Sequence, residues 1–217
     1  MKKKIVVALN KSSIQNAIKE LNGIKKIIPK MQQEFLQEVA NWLVKQADGY
    51  IDRSDIGSLV KSEIKKSWDF ESSPNGIKII NSANVTKTVN HKEQIVPIAV
   101  LVEFGSGIVG QRDEHPNADA NGYEYNVKTT PSLKNPDGSW DFWLNSEERD
   151  LPMSAFVDFG TYDDHREGGK RMVVTTFGAK GVWYAYNAIV DAKMELAKPN
   201  GGEIGKMWNA VKARYIK

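Results

Sequence analysis

The segment VLVEFGSGIVG, residues 100 to 110, contains Gly105-x-Gly107-x-x-Gly110, the spacing at which a dinucleotide-binding turn cradles a pyrophosphate. That chemistry needs a helix opening from the glycines, so that its first N–H groups hold the phosphates, and an acid about 20 residues further on to bind the ribose. The next residues are QRDEHPNADANG, with Pro116 among turn formers, and Thr129, Thr130 and Pro131 stand where the ribose-binding acid belongs. The glycines are expected instead to end an apolar segment and to let the chain reverse with φ > 0.

The remaining chemical candidates are sparse. His91, His115 and His165 lie apart in loop-like sequence, and none has a ligand spacing such as H-x-x-x-H. His115 beside Asp113 and Glu114, and His165 beside Asp163 and Asp164, supply metal-ligand types, but adjacent loop residues are expected to point into water. Glu63-x-Lys65 with Asp55 is a short fragment of a nuclease-type acid/lysine set, too short to specify one. The aromatic groups Trp140, Phe142, Trp143 and Trp183, Tyr184, Tyr186 have the faces to stack bases or sugars. They lack interleaved arginine or lysine, and burial in a core or subunit interface is expected. With no G-x-S-x-G elbow and no Walker loop, no catalytic residue, metal ligand or cofactor is assigned.

Composition narrows the class. The chain has 217 residues, enough for a core without staples, and its 41% hydrophobic and 26% charged residues are ordinary for a folded globular protein. Cysteine is absent, which excludes disulfides, a thiolate nucleophile and cysteine-based metal sites. The opening MKKKIVVALNK has a basic start, but its apolar run stops at Leu9, and it reads as an edge strand or arm. No segment approaches the roughly 18 apolar residues that a membrane span needs. A net charge of +3 is too small to indicate nucleic acid by itself. Its distribution is uneven: Lys2, Lys3, Lys4, Lys11, Lys19, Lys25, Lys26 and Lys30 make the start basic, and Asp137, Asp141, Glu147, Glu148, Asp150, Asp158, Asp163 and Asp164 make a later stretch acidic. Such ends read as solvated faces or, alternatively, as surfaces that favour head-to-side packing between copies of the chain.

Periodicity predicts the elements that position these residues. Ser12 and Gln15 form a capping box ahead of Ile14, Ala17, Ile18, Leu21 and Ile24, which predicts a short helix ending near Asn22-Gly23 or at Pro29. A second helix is predicted from Met31 to about Asp48-Gly49, on Phe35, Leu36, Val39, Trp42, Leu43, Gln46 and Tyr50, and a third over 55–66. Pro74-Asn75-Gly76 is turn chemistry, and the β-branched runs IKII (77–80) and VTKTV (85–89) after it predict that a hairpin or meander begins there. Residues 95–104 are core, as a buried strand or as a short helix ending at Gly105. Turn signals crowd 111–176, with short aromatic strands expected at YEYNV (123–127) and SWDFWL (139–144). A helix over 182–198 and a short one within 203–217 close the chain.

The order of these features resembles a family of tailed-bacteriophage proteins, the small tail-component proteins also called head-to-tail joining or tail-completion proteins. The resemblance is carried by SIQNAIKELNGIKK (13–26), IAVLVEFGSGIVG (98–110), HP (115–116), GYEYNV (122–127), GSWDFW (138–143) and VVTTFGAKGVWYAYNAIVDA (173–192). The family's mid-chain pattern is Tyr-Ala-x-x-Val-Glu-Phe-Gly-Thr-Gly. Ala99, Val102, Glu103, Phe104, Gly105 and Gly107 match it, with Ile98 in the tyrosine place and Ser106 in the threonine place. Gly178 and the helix through Ala188 resemble its C-terminal pattern, with Trp183 and Tyr184 where proline and phenylalanine are expected. Residues 144–172 read as an insertion.

The predicted elements make an α+β fold: N-terminal helices and a C-terminal helix packed on a mainly antiparallel sheet, with an aromatic, turn-rich insertion. Length and element order predict one domain over 1–217, with a helical part at 11–68, a core at 77–110 and 173–198, and a β/loop excursion at 111–172. The resemblance implies that Val102 and Phe104 pack inward and that Glu103 accepts hydrogen bonds from neighbouring backbone or from an arginine or lysine. It implies a structural, non-enzymatic virion protein without a cofactor, forming a ring, sixfold to match a tail tube, at the head-proximal end of the tail. Its partners would be copies of itself, tail-terminator or tail-tube proteins and head connector or stopper proteins, with DNA passing through the lumen without sequence-specific binding, and no membrane. The alternatives are a metal-dependent nuclease or phosphoesterase using His115, Asp113 and Glu114, and a nucleic-acid-binding module using the lysine-rich start and exposed aromatics.

Overall fold

A computed structural model describes residues 11–89, 92–125, 140–144, 158–164, 169–176 and 178–216. The fold is α+β, and all the strand pairing whose register is described is antiparallel. Helix α1 (Lys11–Arg53) is followed by α2 (Ser58–Lys66), the hairpin of β1 (Trp68–Ser73) and β2 (Gly76–Asn81), and the pair β3 (Val85–Val89) and β4 (Lys92–Val96). Then come α3 (Ile98–Phe104), the two-residue strand β5 (Gly105–Ser106) and α4 (Gly107–Arg112). Strands β6 (Trp140–Leu144), β7 (Asp158–Asp164) and β8 (Gly169–Thr176) form a sheet in the order β6-β8-β7, with Phe142 and Phe159 both opposite Val174. Strand β9 (Gly178–Lys180) pairs with β5, and helices α5 (Tyr184–Ala197) and α6 (Gly202–Tyr215) complete the order.

The two helices predicted on either side of Pro29 are one continuous helix of 43 residues. Proline removes the bond to the carbonyl four residues back and disfavours helix at the residue before it, which is why a boundary was expected there. Here Lys25, Lys26, Ile28 and Lys30 are all exposed, so the disruption falls on a solvated stretch where water can take the place of the lost bond. The helix ends where the Ser54 hydroxyl donates to the Ile51 carbonyl at 2.6 Å and Lys61 donates to the carbonyls of Asp52 and Ser54 at 3.0 and 2.7 Å. Residues 95–104, ambiguous by period, divide at Pro97 into the end of β4 and helix α3.

The chain divides into two compact units: Met1–Trp42, Phe70–Lys78 and Ala192–Lys217 in one, Leu43–Asp69 and Ile79–Asp191 in the other. In the first unit Met31, Ala40, Ile204 and Val211 are buried. There Phe35 meets Trp208 edge-on at 5.3 Å, the Trp42 indole donates to Glu203 at 2.9 Å, and Arg214 pairs with Glu34 and Glu38. The second unit has its own core of Ala47, Ile51, Ile64, Ala83, Ile98, Ala99, Tyr184 and Ala188. Trp68 stands edge-on to Tyr184 at 5.9 Å and its indole donates to Asp48 at 2.9 Å, while the Tyr50 hydroxyl donates to Asp191 at 2.9 Å.

The segment YEYNV, expected as a strand, is irregular at Tyr123 to Tyr125, where both tyrosine side chains are spent on tertiary contacts; Asn126 and Val127 lie outside the described residues. The opening arm and most of the expected insertion 144–172 also lie outside them.

Candidate functional site

The glycine segment and the start of α5 are built as one device. Helix α3 buries Ile98 and Ala99 and sets Val102 against the core, so its last turn leaves carbonyls that the helix itself cannot satisfy. The chain entering α5 supplies their donors: Val182 N–H donates to the Val102 carbonyl at 2.8 Å, and Trp183 N–H to the Glu103 carbonyl at 3.2 Å. The exchange is reciprocal. The first N–H groups of α5 have no partner in their own helix, and the Glu103 carboxylate accepts Ala185 N–H at 2.9 Å and Tyr186 N–H at 3.0 Å. A carboxylate at a helix N-terminus is favoured both by these bonds and by the helix dipole.

Two glycines allow the approach. Gly105 has φ +84, and a Cβ there would stand 2.6 Å from both the Ala179 carbonyl oxygen and the Gly181 nitrogen. A Cβ on Gly181 would meet the Glu103 carbonyl oxygen at 2.6 Å. Only hydrogen fits at these positions, and β5 therefore lies against β9 with Gly105 opposite Lys180 and Ser106 opposite Ala179.

His115 completes the arrangement. It is 3% exposed, and Glu103 is 8% exposed. The expectation of a solvated loop histidine is thus corrected: the turn around Pro116 carries the imidazole inward. Its Nδ1 accepts the Asn117 N–H at 3.0 Å, so the proton sits on Nε2, which donates to Glu103 Oε1 at 3.1 Å. Its backbone N–H donates to the Tyr125 hydroxyl at 2.7 Å. Phe104 lies 4.4 Å from the imidazole by ring centres, and Tyr186 and Trp183 stand edge-on to it at 5.3 and 5.7 Å. Tyr123 stacks on Phe104 at 4.6 Å and donates its hydroxyl to the Gly105 carbonyl. Burial, with a smaller contribution from Tyr125, pushes the Tyr123 phenol up to about 12. Burial, then the nearby Glu103 charge, raises that of Tyr184, whose hydroxyl donates to the Ala99 carbonyl at 3.1 Å.

Each of the eight motif residues has a definite place. Ala99 and Ala188 are in the core, Val102 is packed against it, and Phe104 is half-buried over His115. Glu103 and Gly105 form the junction, Gly107 begins α4 and Gly178 begins β9. The metal set considered on His115, Asp113 and Glu114 is not assembled: Asp113 pairs with Lys180 at 3.0 Å while His115 faces Glu103. Among the described residues no three His, Asp, Glu or Cys side chains form a metal-binding group. Lys65 is held by both oxygens of Asp52 at 2.9 Å, and Glu63 lies 3.9 Å from Lys66. His91 and His165 lie outside the described residues.

Both oxygens of Glu103 and both nitrogens of His115 therefore have fixed intramolecular partners. What the pair does chemically is hold two distant stretches of chain together. Comparison with protein-family models, with curated proteins and with solved structures finds no match for this chain. The sequence sign of the site was one acid within the apolar run 95–104. A buried carboxylate needs partners, but the run does not say which.

Proposed function

We propose that the chain is a structural virion protein of a tailed phage or a phage-like particle. It forms a ring at the head-proximal end of the tail and joins or completes the tail at the neck. One observation carries this reading. The two sequence segments that separately resemble the tail-completion family, VEFGSG and the start of the C-terminal helix, meet in a reciprocal backbone junction. Residues that would otherwise invite a catalytic assignment are used up as scaffold. Trp183 also accounts for the departure from the family's proline: its φ is +55 and its N–H is donated, and a proline can do neither.

In this reading each copy meets the next by a heterologous contact that rotation closes into a ring, sixfold to match a tail tube. Tail-terminator or tail-tube proteins lie on one side and connector or stopper proteins on the other. DNA passes through the lumen without being read, as a net charge of +3 permits. The protein acts without cofactor, in the host cytoplasm during assembly and then in the neck of the particle.

The test is genetic and visual. Particles produced without the chain are expected to yield filled heads and separate tails under the electron microscope, and labelled chain is expected at the neck of complete particles. Mature, joined particles that lack the chain would overturn the proposal.

A further inference from the structure

The first part of α1 carries apolar side chains that its own unit does not cover. Ile14, Ile18, Leu21 and Ile28 are 43%, 52%, 55% and 46% exposed. They are not scattered. Counted in sevens, Ile14, Leu21, Ile28 and Phe35 fall at one repeating position, and Ala17, Ile24 and Met31 at the other position of the same seam. The seam is continuous from the uncovered stretch into the buried part of the helix, since Met31 is 3% exposed and Phe35 packs on Trp208. A helix that is already formed and presents two such repeats and the first position of a third offers one side of a helical bundle.

Charge specifies the occupant. Glu20 and Lys25 flank the seam on its two sides, five residues apart, at the positions from which one strand reaches the next in a parallel bundle. In a parallel, in-register pairing of two copies, Glu20 of each faces Lys25 of its neighbour. In the antiparallel pairing, like charges are brought onto the same side. Ile18 and Ile27 widen the seam on both flanks, which suits a neighbour on each side.

We infer that residues 14–28 of α1 are a self-association seam, along which copies of this chain pack parallel and in register. The inference deepens the proposed function, resting on the chain's being a self-assembling building block, and it names the surface through which copies meet. Rotation about a ring axis keeps equivalent helices parallel and in register where they run along that axis, which is the arrangement the seam requires.

Sedimentation velocity on the full chain over a wide concentration range tests it. The wild type is expected to sediment as an oligomer. The double variant Leu21→Asp, Ile28→Asp is expected to raise the dissociation constant about a hundredfold or more, with helical circular dichroism retained and with the melting temperature matching wild type at dilutions where both are monomeric, because both residues are exposed within one copy. Lys25→Glu is expected to weaken association at low salt, and Glu20→Lys combined with Lys25→Glu to restore it. A folded double variant that keeps the wild-type mass overturns the seam while leaving the building-block reading intact. A wild type that is monomeric throughout overturns the seam as well, whichever other segment or protein covers the stripe, while the building-block reading is decided by the particles produced without the chain.

Discussion

Removing the Glu103 carboxylate tests the junction directly. In Glu103→Ala the Ala185 and Tyr186 N–H groups lose their acceptor, at about 1 kcal/mol each by analogy with loss of a helix cap. The His115 Nε2 proton, buried among aromatic rings, loses its acceptor, at about 1 to 3 kcal/mol. The sum is about 3 to 5 kcal/mol, which for a chain of this length lowers the melting temperature by roughly 10 °C. Glu103→Gln keeps one carbonyl oxygen but turns an NH2 group toward an existing donor in either orientation, at about 2 kcal/mol. Imidazole cannot rescue it by switching tautomer, because its other nitrogen already accepts Asn117 N–H. Urea unfolding of Glu103→Ala, His115→Phe and the double variant completes the cycle, with a coupling of about 1 to 2 kcal/mol expected. Glu103→Ala within about 0.5 kcal/mol of wild type would refute the reasoning.

Gly105→Ala is expected to cost at least about 3 kcal/mol, because its Cβ overlaps two backbone atoms as well as straining φ. Gly122→Ala, at φ +61 with nothing within 4 Å, is expected to cost only about 1 kcal/mol, so thermal denaturation of the two variants separates steric overlap from backbone strain. Burial pushes the Asp48 carboxyl above its ordinary value of 3.8, outweighing the hydrogen bond from Trp68. The folded state thus holds that proton more tightly than the unfolded state, and this group's contribution to stability falls as pH rises from 3.8 through the folded value. Asp48→Asn keeps an acceptor for the Trp68 indole and removes the desolvated charge. Unfolding at about pH 4 and about pH 7 is expected to show it at least as stable as wild type at the higher pH, with a flatter dependence just above 3.8.

Much of the fold was legible because it is locally specified. IKII and VTKTV around turn residues gave strands, SWDFWL gave β6, and the apolar spacing after Val182 and after Gly202 gave α5 and α6. The continuity of α1 was not legible, since Pro29 carries a local stop signal whose cost depends on whether the freed groups can reach water. The junction was legible only in part. The glycines announced a turn, and the lone acid announced a need for partners. Its partners, however, lie 12 residues away at His115 and 82 and 83 residues away at Ala185 and Tyr186, and no local pattern encodes a pairing at that distance. His115 was misread for the same reason: a histidine between an acid and a proline looks solvated until the turn that buries it is drawn.

The β5–β9 clasp joins Gly105–Ser106 to Gly178–Lys180, and the whole β6-β8-β7 sheet lies between them in sequence. Chain added in that interval lengthens a loop whose ends are already fastened, and each doubling of a loop adds only about 0.6 kcal/mol of closure entropy. A reporter peptide spliced in after Tyr125, beyond the residues that hold His115 and Gly105, is therefore expected to leave the clasp fastened.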